Sequence, residues 1–431
     1  MTLTKKKRLG SHMLSFAMKI FPYNRSIVNR EVLRTLKIIK KEIKLIKIRK
    51  VKSSTKIYDW KIPKEWKVSS AKIFDLKKNI IVDYDKNNLH LVSHSIPVNK
   101  IIKLNELKKK MYFIKKLPNA IPYRTYYYKK DWGFCVSYNQ YKKMKDKRYK
   151  VLIKSQLSNG YLRYGELFIK GKSNKEVIFT TNICHPSLGN NETSGIVVLT
   201  FLAKYLAKKK NKYSYRFLFL PETIGSLVYI KKNFNNLKKN LLFGFNCVCV
   251  GDDRQYSILE PKKTNSNSYY FVKKTLNKLN IKFKQFSWLK RGSDERQFSS
   301  PIIDLDFSSL MRSKYAEYKE YHTSLDDLKK VVTEKGLEGS LKMYKVLAGL
   351  IEKERFPKSK FIGEPFLSKR KIYPNIGGFV HPKKIKSLLD YLSFCDGLTP
   401  SEKIAQLCKV KPIQGKLILK RLKKNKLVTF N

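Results

Sequence analysis

With 431 residues the chain is longer than one ordinary domain of about 100–200 residues, and its hydrophobic share of 42% is enough to fill more than one core. The formal net charge of +60, from 93 Lys and Arg against 33 Asp and Glu, would ordinarily announce a polyanion partner through counterion release. Lys is instead spread along the whole chain among abundant Asn and Ile, the pattern of a nucleotide-biased genome, so a solvated basic surface is the expectation. No apolar run reaches the roughly 18 residues of a membrane span. The basic start MTLTKKKRLGSHM lacks the apolar core of a signal peptide, and the six cysteines form no CxxC pair. These features predict a cytoplasmic, soluble protein with buried free thiols and exclude a disulfide scaffold or a structural zinc knuckle.

From Met13 to Glu42 an apolar stretch, a break at Pro22 and a helical pattern (Val32, Leu33, Leu36, Ile39) predict two helices joined by a loop. Residues 58–148 read as a Pro- and aromatic-rich β segment (YDWKIPKEWKV, IIVDY, LHLVSHSIPV, IPYRTYYYKKDWGFC) with one short helix, LNELKKKMYFI. Tyr149–Gln156 and Tyr161–Lys170 alternate around Asn159-Gly160, which predicts a hairpin. An alternating series follows: strand Val177–Ile183, helix Thr193–Ala207, strand Tyr215–Leu220, the turn PETIGS and strand Phe243–Val250, closing on Gly251-Asp252. Such alternation predicts a mostly parallel mixed sheet with helices on both faces. After helix Tyr269–Leu279, two loops and a long helix to about Glu354, FPKSKFIGEPF and YPNIGGFVHP read as a linker. Three short amphipathic helices and a terminal strand then describe a winged helix-turn-helix, with Ile413–Lys426 as its recognition helix. The expected division is 13–57 and 149–355 for the α/β domain, 58–148 for the inserted β-rich subdomain, 356–376 for the linker and 377–431 for the winged helix.

His185, Glu222 and Asp252 each sit where a strand of the inferred sheet ends, the edge at which open α/β sheets bind ligands. His322 precedes Thr323, Ser324 and Asp326, which read as helix caps. Two histidines with carboxylates at one sheet edge suit zinc, and an open coordination position activates water. Each residue alone has a plain structural reading as a cap or strand terminator; their shared placement favours a site.

The order His185, Glu222, Asp252, His322, with GSDERQF before the last histidine, resembles the zinc aminopeptidase superfamily of bacterial leucyl aminopeptidase and glutamate carboxypeptidase. More closely, NRS, DWKIPKEW, NLHLVSHSIPV, IPYRTYYY, WGFC, ICHPS, SYRFLFLPETIGS, RGSDERQFSSP and EYHTSLDDL, spread over residues 21–331, are similar to bacterial aminopeptidase-like proteins with an inserted β domain and a C-terminal winged helix. The resemblance implies His185, Asn191, Asp252 and His322 as metal ligands and Glu222 as general base. It implies Asp294, Glu295, Arg296 and Tyr321 as substrate-binding residues, with Tyr315 and Tyr318 beside them.

Three departures stand out. Asn191 occupies the place of a carboxylate that bridges two metals, Thr223 that of a second glutamate, and Ser187 that of the aspartate orienting the first histidine. One zinc therefore fits the retained groups better than two. The leading expectation is a zinc-dependent hydrolase of an amide bond next to a free amino group, on a small peptide or amino-acyl substrate. A catalytically weakened or metal-free regulatory protein whose winged helix contacts DNA or protein, and a mononuclear zinc deacylase, remain alternatives, with self-association open.

Overall fold

Strand Glu176–Asn182 (EVIFTTN) is buried along its whole length, as a β-branched run in the middle of a covered sheet must be. It pairs in parallel with Ser214–Leu220 on one side and Leu241–Asn246 on the other. Phe307–Met311 extends the parallel core, while Tyr161–Ile169 and Lys47–Lys52 add antiparallel strands at one edge. With Ser257–Leu259 and Lys284–Phe286 the result is an eight-stranded mixed sheet. The computed structural model describes residues 9–263, 265–370, 372 and 383–430, so residues 1–8 and the run YPNIGGFVHP lie outside the described residues.

Helix Ser194–Ala207 is apolar almost all round because it is covered almost all round, packing on the sheet and on helices Leu9–Ile20 and Glu334–Lys353. Gly195 sits at its start against two neighbouring strands: a Cβ there would lie 2.3 Å from Thr181 Oγ1 and 2.4 Å from the Cys247 carbonyl oxygen. Arg216 makes a two-pronged contact with Glu176 (2.8 and 2.9 Å) and reaches Glu166 at 2.6 Å.

The expected Asn159-Gly160 hairpin does not form. Strand Arg148–Ser158 lies between Glu65–Phe74 and Val98–Lys103 in a separate four-stranded sheet, whereas Tyr161–Ile169 belongs to the large one. Neither Asn159 nor Gly160 adopts the positive φ that a type I′ turn needs. Tertiary pairing on both flanks of each strand overrides the local turn signal, and the seam between the sheets falls at residues 159–160. The strand expected to end at Val250 ends at Asn246. Residues 323–332 form turns, not a capped helix; the next helix starts at Glu334 with Thr333 as its cap.

At the C-terminal end, helices Lys383–Ser393, Ser401–Leu407 and Pro412–Lys424 share a core with the ribbon Pro357–Ser359/Val428–Phe430. Part of the expected linker thus serves as a strand. Lys403 docks this unit by donating to the Asn265 carbonyl and to Asn267 Oδ1 at 3.0 and 2.9 Å. No helix among the described residues is long and apolar enough to cross a membrane.

Because its Cβ would meet a backbone carbonyl, Gly195→Ala should destabilise the fold by about 1–3 kcal/mol. A lower urea midpoint at unchanged m-value would show it; an unchanged midpoint would contradict the packing described.

Candidate active site

Beyond Asn182 the chain turns through Cys184 and His185 into a five-residue π-helical turn, Gly189–Thr193, that leads into helix Ser194–Ala207. The turn brings Glu192 back onto His185. Glu192 Oε1 accepts the His185 backbone N–H at 2.9 Å and Oε2 lies 2.6 Å from Nδ1. With Nδ1 engaged, Nε2 is the ring nitrogen left facing Glu222, whose Oε2 stands 3.5 Å away. Cys184 Sγ accepts the Glu222 backbone N–H at 3.2 Å, joining the ends of two adjacent strands.

His322 arrives from the opposite loop. Its ring centroid is 5.3 Å from that of His185, its Nε2 is buried with no hydrogen-bond partner, and Tyr321 stacks on it at 3.9 Å. Both His322 and Thr223 occupy the left-handed region, φ +54° and +63°, a strained backbone at two points of the same centre. Tyr123, from the inserted segment, lies edge-on to both histidines at 5.3 Å. Its hydroxyl is 3.1 Å from that of Tyr127, whose ring in turn packs against His94. Beneath the centre, Arg25 is fully buried, with Nη2 3.4 Å from Thr193 Oγ1.

Electrostatics differ sharply between the two histidines. Burial lowers the pKa of His185, but attraction from its neighbours outweighs burial and holds it well above the ordinary value. Cys184 is itself pushed up to about 11 by burial. His322, buried and repelled by His185, is pushed down to about 3 and is neutral. Burial raises Glu222 despite attraction from His185 and Arg296. Burial and the neighbouring Glu222 push Asp294 up to about 7.

The remaining candidates have definite places. Asp252 Oδ2 accepts from Asn190 Nδ2 (2.8 Å) and Ser313 N (3.0 Å), and Oδ1 from Ser313 Oγ (2.9 Å) and Arg254 N (3.0 Å), so both oxygens hold loops together. Glu295 is likewise saturated: Oε1 accepts from Gly292 N, Ser293 N and Tyr315 Oη, and Oε2 from Asn246 and Ser309. Asp294 Oδ1 accepts the Thr223 N–H at 2.8 Å. The Asn191 backbone donates to Asp326 at 2.9 Å, while its Nδ2 is buried without a partner. Asp326 also takes the Asn190 N–H, at 2.7 Å, and so caps the π-helical turn from 136 residues away rather than a helix of its own. Tyr318 donates to this same Asp326. Arg296, 41% exposed, donates to Thr223 Oγ1 at 2.9 Å and lies 3.9 Å from Glu222 Oε1.

Among the described residues, Cys184, His185 and Glu192 are the cluster whose possible ligand atoms lie within 4.8 Å of one another. Glu192 is already committed to His185 Nδ1, an arrangement typical of a carboxylate that orients a metal-binding imidazole. The orphaned Nε2 of His322, on a ring 5.3 Å from that of His185, is the feature that fits a metal ion, and the residue types His185, His322 and Glu222 suit one zinc. A cavity of 660 Å³ between the N-terminal segment and the inserted sheet touches the two histidine loops through Ser187 and Ser324 rather than through the histidines. Glu192, Tyr123 and Tyr127 are the participants that sequence reasoning passed over. A carboxylate seven residues after His185 in one polar turn was the available signal for the first; the tyrosines gave none beyond their motif.

Residues 14–354 match a family described as a domain of unknown function, DUF4910. The chain belongs to this family. It is 41% identical over 374 residues to a Clostridium acetobutylicum protein, covering 86% of this chain and 84% of the relative, which is provisionally named a polysaccharide biosynthesis protein with an aminopeptidase-like domain. A C. acetobutylicum crystal structure provisionally described as a peptidase is 36% identical and superposes with a TM-score of 0.80 over 98% of this chain and 96% of that one. A zinc aminopeptidase from Bacillus subtilis shares the fold at 13% identity, TM-score 0.59, over 79% of this chain and 95% of its own. The DUF4910 chain described here therefore has the mixed α/β architecture of the zinc aminopeptidases.

Asp294 carries a folded-state pKa of about 7 against an ordinary 3.8, so between those values the folded chain holds a proton that the unfolded chain has lost. The Asp294 contribution to the stability of the metal-free protein should therefore fall as pH rises from about 4 to about 7. Asp294→Asn, which keeps an acceptor for Thr223, should flatten that slope in urea titrations; parallel pH profiles for both proteins would refute the assignment.

Proposed function

We propose that the protein is a zinc-dependent hydrolase that cleaves an amide bond with water at the site formed by His185, His322 and Glu222. The observation that carries this reading is a pair of adjacent imidazoles, ring centroids 5.3 Å apart, in which Glu192 holds the Nδ1 of His185, leaving its Nε2, and the Nε2 of His322 is buried without a partner. His185 and His322 would hold one zinc through these atoms. When bound, zinc would supply a Lewis acid that polarises the carbonyl and acidifies water. Glu222 keeps both oxygens clear of hydrogen bonds beside His185, and we assign it the base role: it takes a proton from the attacking water and returns it to the leaving amine. Its raised pKa favours holding that proton between the two steps. Tyr123 and Tyr321, packed on the histidines, exclude water and limit ring rotation.

A second zinc has less support. Asp252 has four donors on its oxygens, and Asn191 and Thr223 bring no charge. The substrate class we infer is a small amino-acyl, peptide or amino-sugar amide, in keeping with the aminopeptidase fold and with the relative's provisional link to polysaccharide biosynthesis. We read the C-terminal helices and ribbon as a winged helix whose helix Pro412–Lys424, with Ile413 and Leu417 exposed, suits a protein partner as well as DNA. Six free thiols, most of them buried, agree with a reducing cytoplasm. If the protein fails to bind zinc, the alternative of a metal-free regulatory protein takes precedence.

Protein purified without chelator and loaded with zinc should hold one equivalent by elemental analysis, lost in both His185→Ala and His322→Ala. Glu222→Gln should retain the zinc while amide turnover, assayed on aminoacyl amides and N-acyl amino acids alike, drops by about 10²–10⁴-fold; zinc lost with turnover would instead make Glu222 a ligand. Glu192→Gln should weaken zinc binding by about 10–100-fold in competition titrations. Unaltered affinity would show that its contacts with His185 do not govern the site.

A further inference from the structure

An amide hydrolase that selects a free amino terminus needs an anionic group to receive the ammonium. The carboxylates around this centre are engaged by hydrogen bonds, shut away from solvent, or reserved for the reaction. Glu192 is fully buried against His185, Glu295 accepts five hydrogen bonds, and Asp252 four. Asp294 is fully buried, one oxygen taking the Thr223 N–H and the other, though without a partner, closed off from solvent. Glu222 is needed as base. The half-exposed charge beside Glu222 is a cation, Arg296, whose guanidinium is anchored to Thr223 Oγ1 at 2.9 Å and stands 3.9 Å from Glu222. Glu222 and Arg296 stand side by side, and Tyr321, a partly exposed ring, stacks on His322 in the same centre.

We propose that this site takes an anionic substrate, an amide bearing a carboxylate or similar oxyanion close to the scissile bond, and that Arg296 is the residue that selects it. The inference rests on the hydrolase reading for its scissile bond but not for its anion. One guanidinium N–H is held by Thr223, which fixes the plane, and the remaining donors form a fork matched to an oxyanion. A substrate ammonium at the same place would meet like charge. Thr223, in the position of a family glutamate, thereby acquires a use: its hydroxyl orients the arginine where a carboxylate would have neutralised it.

The test compares three N-acyl amino acids, N-acetylglycine, N-acetylaspartate and benzoylglycine, with their neutral carboxamides and with glycinamide, by calorimetric titration of zinc-loaded and metal-free protein. In the metal-free protein, where no ion can attract the carboxylate, at least one acid should bind about 10-fold or more tighter than its carboxamide. Glycinamide should bind more weakly than either. Arg296→Gln should erase the preference, Arg296→Lys should keep part of it, and Arg291→Gln on the same exposed loop should leave it intact. Circular dichroism checks that each variant folds. Equal binding of acids and carboxamides, tighter binding of glycinamide, an equal loss in Arg291→Gln, or no acid binding tighter than about 10 mM would each overturn the proposal. Zinc content measured on the same samples separates the two readings. Zinc bound without carboxylate selection sinks only the anionic substrate, and carboxylate selection without zinc sinks only the hydrolase.

Discussion

Two hydrogen bonds from one carboxylate set the geometry on which the rest of the site depends. Glu192 takes both the backbone N–H and Nδ1 of His185 while itself fully buried at the start of a helix. A buried anion is costly unless its acceptors are filled, and an imidazole is free to present either nitrogen unless one is engaged. Each group resolves the other's difficulty. The π-helical turn Gly189–Thr193 is what makes the contact reachable, because its wider ring brings Glu192 round to a histidine seven residues earlier. Asp326 then holds the turn by taking the N–H groups of Asn190 and Asn191, and Asp326 lies four residues past His322. The two histidine loops are therefore tied to each other through a third carboxylate, and the spacing of their rings follows from backbone bonds rather than from side-chain freedom.

The inserted segment belongs to this arrangement. Pro122 and Thr323 form an antiparallel bridge, the Tyr123 N–H donates to the His322 carbonyl at 2.7 Å, and Ser324 exchanges bonds with Ile121. These contacts set Tyr123 against both histidines and bury His322 enough for desolvation to lower its pKa. Without that cover, His322 would lose the burial that keeps it neutral and ready to act as a ligand.

Much of this scaffold was legible in advance, for identifiable reasons. A fully buried β-branched strand followed by an apolar helix leaves few alternatives, and it put His185 at the correct sheet edge; Pro22 likewise marked the break between the first two helices. Glu222 likewise lies just past the end of strand Ser214–Leu220, where the strand pattern put it. What escaped depended on contacts far apart in the chain. Asp252 has the residue type and position of a ligand, yet Ser313, 61 residues on, occupies both its oxygens. The Asn159-Gly160 signal is a sound local turn preference defeated by partners that pull its two strands into different sheets. The orienting carboxylate expected at the position of Ser187 is supplied by Glu192 instead. Ser187 donates its hydroxyl to the Phe21 carbonyl and takes part in holding the N-terminal segment.

Charge at the scale of the chain and charge at the scale of the site point the same way. Only 33 acidic residues face 93 basic ones, yet Glu192, Asp252, Asp294, Glu295 and Asp326 are all fully buried around one centre. Acidic groups so placed are withdrawn from the surface field, which stays strongly positive, and their hydrogen bonds leave them little reach toward a ligand. A positive surface raises the encounter rate of anions and lowers that of cations, an effect that salt screens within about 8–10 Å. The composition bias that supplied the lysines need not have been selected for binding to have this consequence. Once the long-range field favours anions, a single oriented guanidinium beside Glu222 suffices to turn non-specific attraction into selection, because its fork discriminates geometry where the field discriminates only sign.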